Sequence, residues 1–236
     1  MKIAALPLFI LGPDFFPGFT GTLRVFEPRY KQMMDDCIMG SKPFGYISND
    51  PAKGELNGWG QPSDHGVLCY VRDYEESGSN LIIEVEGTSA FEVKGVIQPV
   101  LPSLVDGERF PGVEELMEEA GNPEGGKLYL RADVEVLSPP NVDYDDGSFT
   151  AFLDSLTPAR QLLQMSSMYK GQILEFKEPE DYNDERGRAD LVWKVCCALC
   201  YDVYLQQEML SQTSFSSLLE ICTNRVVEIL VRMEEE

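Results

Sequence analysis

Alternating apolar and polar residues predict β-strands through the first 137 or so residues of the chain. In "KLYLRADVEVL", which ends at residue 137, every second residue from Leu128 to Val136 is apolar, and the residues between them are mostly charged. This period of two is typical of a strand that buries one face. Similar runs occur earlier, as "IAALPLFI", "TGTLRVF", "FGYIS", "HGVLCYVRDY" and "NLIIEVEGTSAFEVKGVIQPV". Since this half lacks the regular crossover helices of a parallel sheet, the pattern predicts an antiparallel sheet.

The segment "FEPRYKQMM" predicts one early helix with a sharp corner before it. From Pro28 onward the apolar residues take helical spacing, at Tyr30, Met33, Met34, Cys37 and Ile38. Proline suits the first helical position, because the N–H that it lacks would have no partner there. The carboxylate of Glu27 lies beside the positive end of the helix dipole. We therefore expect strand to become helix at Glu27 and the helix to end at Gly40.

Helical periodicity replaces the strand pattern after residue 138. The acidic, turn-forming segment "SPPNVDYDDGS" separates the two patterns, and three helical segments follow it. The second of these is "RADLVWKVCCALCYDVYLQQEML", and the last is "SFSSLLEICTNRVVEILVRM". The sequence predicts an α+β protein with a β domain over residues 1–138 and a helical domain over residues 139–236.

The charge of the chain argues against two classes of partner. Its 40 acidic and 19 basic residues give a formal net charge of -21, which repels nucleic acid and anionic lipid. No apolar stretch approaches the roughly 20 residues that span a bilayer, so we predict no transmembrane segment. The acidity is concentrated in residues 106–236, with 27 acidic against 11 basic residues. This excess is either a solvated surface or a docking face for a basic partner.

The cysteines and the single histidine predict neither catalysis nor a metal site. Cys197 and Cys200 form a C-x-x-C pair, but a tetrahedral zinc site needs four ligands, and a second pair is missing. His65, in "QPSDHG", is typical of a turn or surface histidine. We interpret the six cysteines as reduced thiols, mostly within apolar runs, in an intracellular, reducing compartment, with the cytoplasm the expected location and an organelle the alternative. The sequence thus predicts no catalytic residue, no metal and no cofactor.

An aromatic run and a polar loop supply candidate partner-binding residues. In "GPDFFPGFTG", Pro17 and Gly18 fit a type II turn. The phenylalanines Phe15, Phe16 and Phe19 either pack inward or leave apolar surface for a partner. The second candidate surface is the polar loop "NDPAKGELNGWGQPSD", which contains Trp59.

Several short motifs follow one another through the first 45 residues. They are Leu6-Pro7-Leu8-Phe9, Phe16-Pro17-Gly18, Phe26-Glu27 with Arg29-Tyr30 and Met33, and Phe44-Gly45. In their order and spacing the chain resembles the N-terminal substrate-recognition domain of the ATP-dependent Lon protease, which also occurs as a stand-alone protein and inside cereblon. The resemblance implies a PUA-like antiparallel β pseudo-barrel with one early helix, followed by a C-terminal helical bundle. It also implies polypeptide binding, while proteolysis cannot be carried over because the ATPase and peptidase modules are missing from this sequence.

Two functions remain open at this point. The first is a non-enzymatic polypeptide-binding module that acts alone or as an adaptor to a separate protease or ligase. The alternative is a structural subunit of a larger complex, docked through its acidic helical half. In both, we predict a structural role for the motif residues Pro17, Gly18, Glu27, Pro28, Arg29 and Tyr30, with Glu27 and Arg29 pairing to fix the corner. The sequence leaves the partner and the oligomeric state open.

Overall fold

A bent, closing β-sheet forms the first part of the computed structural model, which describes residues 1–103, 111–178, 181–182 and 184–235. The main strands are β1 (Lys2–Leu11), β2 (Thr20–Val25), β3 (Phe44–Asn49), β6 (Pro62–Ser77), β7 (Asn80–Ile97) and β8 (Arg131–Val136). Their order is β2-β7-β6-β3-β1-β8, and β8 also pairs with β7, so five of the strands close on themselves. The strands β4 (Glu55–Leu56) and β5 (Trp59–Gly60) form a separate two-stranded hairpin. The α+β fold with a sheet followed by a helical part is confirmed.

One strand pair differs from the predicted antiparallel arrangement. β1 and β3 are parallel, with Leu8 opposite Gly45 and Leu11 opposite Ser48. A parallel pair needs a crossover connection, and the early helix α1 (Pro28–Gly40) supplies it. The other pairs in this sheet among the described residues are antiparallel.

The inside of the sheet is filled by apolar side chains from five strands and the hairpin. Phe91 of β7 lies at its centre and is fully buried. The buried cluster consists of Leu6, Leu8, Ile47, Trp59, Leu68, Phe91, Leu130, Ala132 and Val134. Alternate residues of β8 point into this cluster, as its period of two requires.

The helices of the first half differ from the prediction in one respect, a second helix. A second helix, α2 (Val113–Glu119), follows the early one, although its sequence is too short to show clear periodicity. The early helix includes Gly40, and Ser41 takes the left-handed conformation after it, with φ of 47°. The predicted end of the helix at Gly40 is therefore confirmed, although the left-handed conformation that terminates the helix falls on the serine after it.

The described residues of the second half form five α-helices, where the sequence predicted three segments. They are α3 (Asp146–Leu156), α4 (Arg160–Tyr169), α5 (Glu185–Leu199), α6 (Val203–Leu210) and α7 (Phe215–Glu235). The apolar second segment breaks at Asp202, whose carboxylate caps α6 by accepting a hydrogen bond from Leu205 N–H at 2.8 Å. Pro158 lies in the 3₁₀ turn between α3 and α4. Within the described part of the chain, every helix is too short or too polar to cross a membrane.

Contacts divide the chain into two compact units. The β unit contains Met1–Gly12 and Thr20–Leu137, and the helical unit contains Pro13–Phe19 and Ser138–Glu236. The aromatic segment Pro13–Phe19 thus belongs to the helical unit, although it connects β1 and β2 along the chain.

Candidate functional site

Glu27 and Pro28 build the corner at which β2 leads into α1. Glu27 has an extended backbone, with φ of -71° and ψ of 135°. Its carbonyl accepts hydrogen bonds from the N–H groups of Tyr30 and Lys31, at 3.0 Å each. Its carboxylate does not cap the helix and instead pairs with Arg29, with Oε2 2.7 Å from Nε. The pair spans the first turn of the helix and orients the guanidinium group.

Arg29 contacts two aromatic rings. Its guanidinium carbon lies 4.2 Å from the ring centroid of Tyr30 and 4.6 Å from that of Trp59. Tyr30 is fixed because its hydroxyl lies 3.2 Å from both the N–H and the carbonyl of Ile10, and burial raises the pKa of Tyr30. The Trp59 indole N–H donates to the carbonyl of Leu101 at 3.0 Å. These bonds join the helix corner to the β4–β5 hairpin and to the chain after β7.

A pocket of about 90 Å³ opens beside this stack. Its lining residues are Glu27, Pro28, Arg29, Trp59, Leu101, Pro102, Ser103, Leu116 and Leu128. Small-molecule and cofactor sites usually enclose roughly 300–1,000 Å³. This pocket has room for about three water molecules, at roughly 30 Å³ each, or for one aliphatic side chain. Its size therefore favours a single side chain of a larger ligand.

The structure brings together three residues that the sequence analysis named separately. Glu27 and Arg29 were expected at the corner, and Trp59 in a distant loop, yet all three line the same pocket. Trp59 is itself buried and lies in β5, so it presents only the part of its ring that faces the pocket.

Sequence reasoning missed the rest of the pocket. Three leucines form its other apolar walls: Leu101 after β7, Leu116 in α2 and Leu128 before β8. The Gln32 side chain of α1 accepts a hydrogen bond from Leu128 N–H at 2.8 Å, which fixes one of these walls. Local patterns give no signal for such a site, because each segment contributes only one to three residues.

The three phenylalanines of the aromatic run are buried in the helical unit. The rings of Phe15 and Phe19 lie 3.8 Å apart between centroids, and Phe16 stacks at 6.0 Å on Trp193. A buried ring cannot contact a partner while the unit stays folded. The structure therefore favours the inward-packing alternative for these rings over partner binding.

The turn within this run has the geometry that its sequence suggests. Gly18 has φ of 83°, a left-handed value that favours glycine, and Phe19 N–H donates to the Phe16 carbonyl at 3.1 Å. Pro17 precedes the glycine at the position that proline favours in a type II turn. The turn directs the phenylalanines on both sides of it into the helical unit.

The cysteines and the histidine do not form a reactive centre. All six cysteines are free and buried, and burial raises the pKa of Cys197 to about 11 and that of Cys200 to about 12. Their thiolate forms, which bind metals and attack disulfides, are thus disfavoured. His65 lies in β6 opposite Glu92 and is only partly buried, which excludes the turn and leaves the surface position of the two alternatives. Over the residues described here, no group of three or more His, Cys, Asp or Glu side chains could hold a metal ion.

Replacing Arg29 by alanine tests the structural role of the corner pair. The side chains of Arg29 and Glu27 are 24% and 29% exposed, so the pair lies between a surface bridge, worth about 0–1 kcal/mol, and a buried one, whose disruption costs about 3–5 kcal/mol. The lost contacts to the two rings add to that effect. We expect Arg29→Ala to lower the free energy of unfolding by about 2 kcal/mol in urea, measured by circular dichroism.

The matched control for this variant is Arg72→Ala. Arg72 also pairs with a glutamate, Glu86, but that pair lies on the exposed part of β6 and β7. We expect this control to stay within about 0.5 kcal/mol of the wild type. Unchanged stability of Arg29→Ala, together with weaker ligand binding, would instead assign the pair to function.

Comparisons with known proteins agree on one family. A family model described as the ATP-dependent protease La (LON) substrate-binding domain matches residues 5–228. A crystal structure of a Lon N-terminal domain protein from Xanthomonas campestris has a TM-score of 0.55 and 18% identity, covering 97% of this chain and 98% of that one. The N-terminal domain of a Mycobacterium avium complex Lon protease has a TM-score of 0.54 and 12% identity, covering 94% and 98% of the two chains. At these identities the structural likeness shows the fold, and the comparison with curated proteins found no match.

Proposed function

The chain belongs to the LON substrate-binding domain family, and from this we propose that it is a non-enzymatic module that recognises polypeptide. It acts alone or as an adaptor that delivers polypeptide to a separate protease or ligase. The family match supports substrate recognition, and it concerns a substrate-binding domain and not a protease domain. Six buried, free thiols support an intracellular, reducing location.

We assign recognition to the pocket at the Pro28 corner. Its walls are largely apolar, and its volume of about 90 Å³ suits one aliphatic side chain of an extended or unfolded segment. Burial of one such side chain contributes roughly 1.5–3 kcal/mol, which gives weak and broadly selective binding at a single site. Weak binding of this kind suits a module that samples many polypeptides.

Arg29 adds a polar contact to this apolar pocket. Among the described residues its side chain donates a hydrogen bond only through Nε, to Glu27. Its two terminal amino groups are therefore available to a carbonyl of a bound peptide. Because Glu27 and the two rings already fix the guanidinium group, little side-chain entropy is lost when a peptide binds.

Filling the pocket tests this assignment. Ser103 lines the pocket, so Ser103→Trp places a large ring where the ligand side chain would lie. The probe is fluorescein-labelled, reduced and carboxymethylated α-lactalbumin, which is permanently unfolded, and its binding is measured by fluorescence anisotropy. We expect the variant to weaken binding at least about tenfold, which corresponds to about 1.4 kcal/mol.

Ser79→Trp is the matched control. Ser79 is exposed in the turn between β6 and β7, so the same substitution there adds a tryptophan to the β unit without touching the pocket. We expect wild-type affinity from this control. Equal affinity of Ser103→Trp and the wild type, with both folded by circular dichroism, would contradict the assignment of recognition to the pocket.

A further inference from the structure

An exposed apolar surface lies on the helical unit. Six large side chains, each between 58% and 92% exposed, form what we call the Met–Tyr patch: Met165, Met168, Tyr169, Ile173, Tyr201 and Tyr204. Apolar side chains with this exposure cost free energy in water, and contiguous patches of them mark interaction sites. None of these six residues lines the pocket at the Pro28 corner.

One face of α4 carries half of this patch. Met165, Met168 and Tyr169 follow helical spacing on α4, and therefore share one face of it. The chain turns after α4, where Ser167 Oγ–H donates to the Gln172 carbonyl at 3.1 Å, and Ile173 follows directly on this turn.

Tyr201 contacts α4 from the end of α5. Its hydroxyl donates to Ser166 Oγ at 2.6 Å, and its ring centroid lies 4.8 Å from Lys170 Nζ, at the end of α4. Tyr204, in the first turn of α6, lies three residues farther along the chain. The patch therefore spans the end of α4, the chain after it and the junction between α5 and α6.

Acidic residues outnumber basic ones around the patch. Ile173 lines a pocket with four acidic residues, Glu175, Asp181, Asp184 and Asp190, and two basic ones, Lys177 and Lys194. Residues 138–236 contain 18 acidic and 8 basic residues, a net charge of -10. In the two segments that carry the patch, residues 161–175 and 201–210, the ionisable acids are Glu175, Asp202 and Glu208, and all three are exposed. The basic residue of these segments is Lys170, whose side chain is only 6% exposed and donates to backbone carbonyls. The patch thus presents apolar side chains within a negative field.

We propose that the Met–Tyr patch is a docking surface for a basic, amphipathic helical segment of a protein partner. Methionine and tyrosine side chains adapt to different apolar faces at low cost, as surfaces that bind amphipathic helices require. Basic residues flanking the apolar face of the segment meet the acidic surroundings of the patch. The same negative charge disfavours an anionic membrane and a second copy of this chain as occupants.

A model peptide tests the proposal. The probe is a fluorescein-labelled 18-residue peptide of leucine and lysine, about five helical turns, with leucines at helical spacing. We expect it to bind the wild-type protein in a fluorescence anisotropy titration, with affinity that falls as salt rises. The triple variant Met165→Gln, Met168→Gln and Ile173→Gln is expected to bind at least about tenfold more weakly, about 1.4 kcal/mol. These side chains are exposed, so the variant retains the fold.

Controls separate the patch from nonspecific attraction. Met39→Gln changes a methionine that is 89% exposed in α1 of the β unit, and is expected to leave peptide binding unchanged. A peptide with glutamate in place of lysine, and one with the same leucines and lysines in an order without an apolar face, are both expected to bind at least about tenfold more weakly.

Three outcomes would overturn the proposal. They are no binding of the leucine–lysine peptide to the wild type, equal binding to the triple variant, and equal binding of either control peptide. Self-association of the wild type in sedimentation equilibrium that the triple variant lacks would assign the patch to a second copy instead. The proposal stands apart from the pocket, because the patch belongs to the helical unit and shares no residue with the pocket of the β unit.

Discussion

We expect Phe91→Ala to lower the free energy of unfolding by about 3–5 kcal/mol, the usual cost of removing a buried phenylalanine. Phe91 is fully buried in the core cluster of the sheet. It lies on β7 opposite Gly66 of β6 and Val136 of β8, where the sheet closes. An alanine there leaves a cavity between strands that cannot collapse without losing their backbone pairing.

Two glycines provide the space for this ring. A Cβ atom added to Gly45 would lie 2.6 Å from Phe91 Cζ, and one added to Gly66 would lie 2.6 Å from the same atom. The Gly66 Cβ would also lie 2.7 Å from the backbone oxygen of Tyr46. These distances are far below van der Waals contact, so we expect Gly45→Ala and Gly66→Ala each to destabilise the protein by at least about 1–3 kcal/mol.

A double-mutant comparison isolates the contact with the ring. In a Phe91→Leu background the far end of the ring is gone, so Gly45→Ala is expected to cost less than in the wild type. Gly66→Ala is expected to remain costly in both backgrounds, because its clash with the backbone oxygen of Tyr46 persists. Unfolding in urea is measured by the fluorescence of Trp59, the tryptophan of the β unit, in a Trp193→Phe background that removes the other tryptophan. A loss of less than about 1 kcal/mol in Phe91→Ala would contradict the central role of this ring.

Lys170→Met is expected to lower the free energy of unfolding of the helical unit by about 3 kcal/mol. The Lys170 ammonium donates hydrogen bonds to the carbonyls of Cys197, at 2.9 Å, and of Cys200, and it lies 3.4 Å from the Asp14 carboxylate. It therefore caps the C-terminal end of α5, where carbonyls lack helical partners and the dipole is negative. Each buried hydrogen bond to a charged donor contributes roughly 1.5–3 kcal/mol. Methionine has no donor and can form neither of the two bonds that Lys170 makes.

The experiment compares Lys170→Met with Lys177→Met. Lys177 is an exposed lysine of the same unit, and its replacement is expected to change stability by no more than about 0.5 kcal/mol. Unfolding is followed by Trp193 fluorescence in a Trp59→Phe background, since Trp193 lies in α5. Equal stabilities of the two variants would show that the cap contributes little.

The corner at Pro28 illustrates what a local pattern reveals. The switch from a period of two to helical spacing placed the start of α1 at Pro28, where the structure has it. The end of that helix at Gly40 was also predicted, although a non-glycine residue, Ser41, takes the left-handed conformation after it. The break at Asp202 was missed, because apolar residues continue on both sides of this capping carboxylate.

The aromatic run and Lys170 show where local patterns give no signal. Nothing in "GPDFFPGFTG" indicates that its phenylalanines pack with Trp193, about 180 residues farther along the chain. Lys170 looks like an ordinary surface lysine at the end of a helix, and only the approach of α5 buries its side chain. The pocket is similar, because five separate chain segments supply its walls.

The sequence by itself determined the two kinds of secondary structure, the corner before α1, the acidic charge and the family resemblance. These features depend on residues close together in the chain, whose spacing sets which side of a strand or helix is apolar. The tertiary structure alone decided that Arg29 meets Trp59, that the phenylalanine segment joins the helical unit and that the Met–Tyr patch is exposed. Such features depend on contacts between distant segments, and those contacts exist only once closure of the sheet and packing of the helices have brought the segments together.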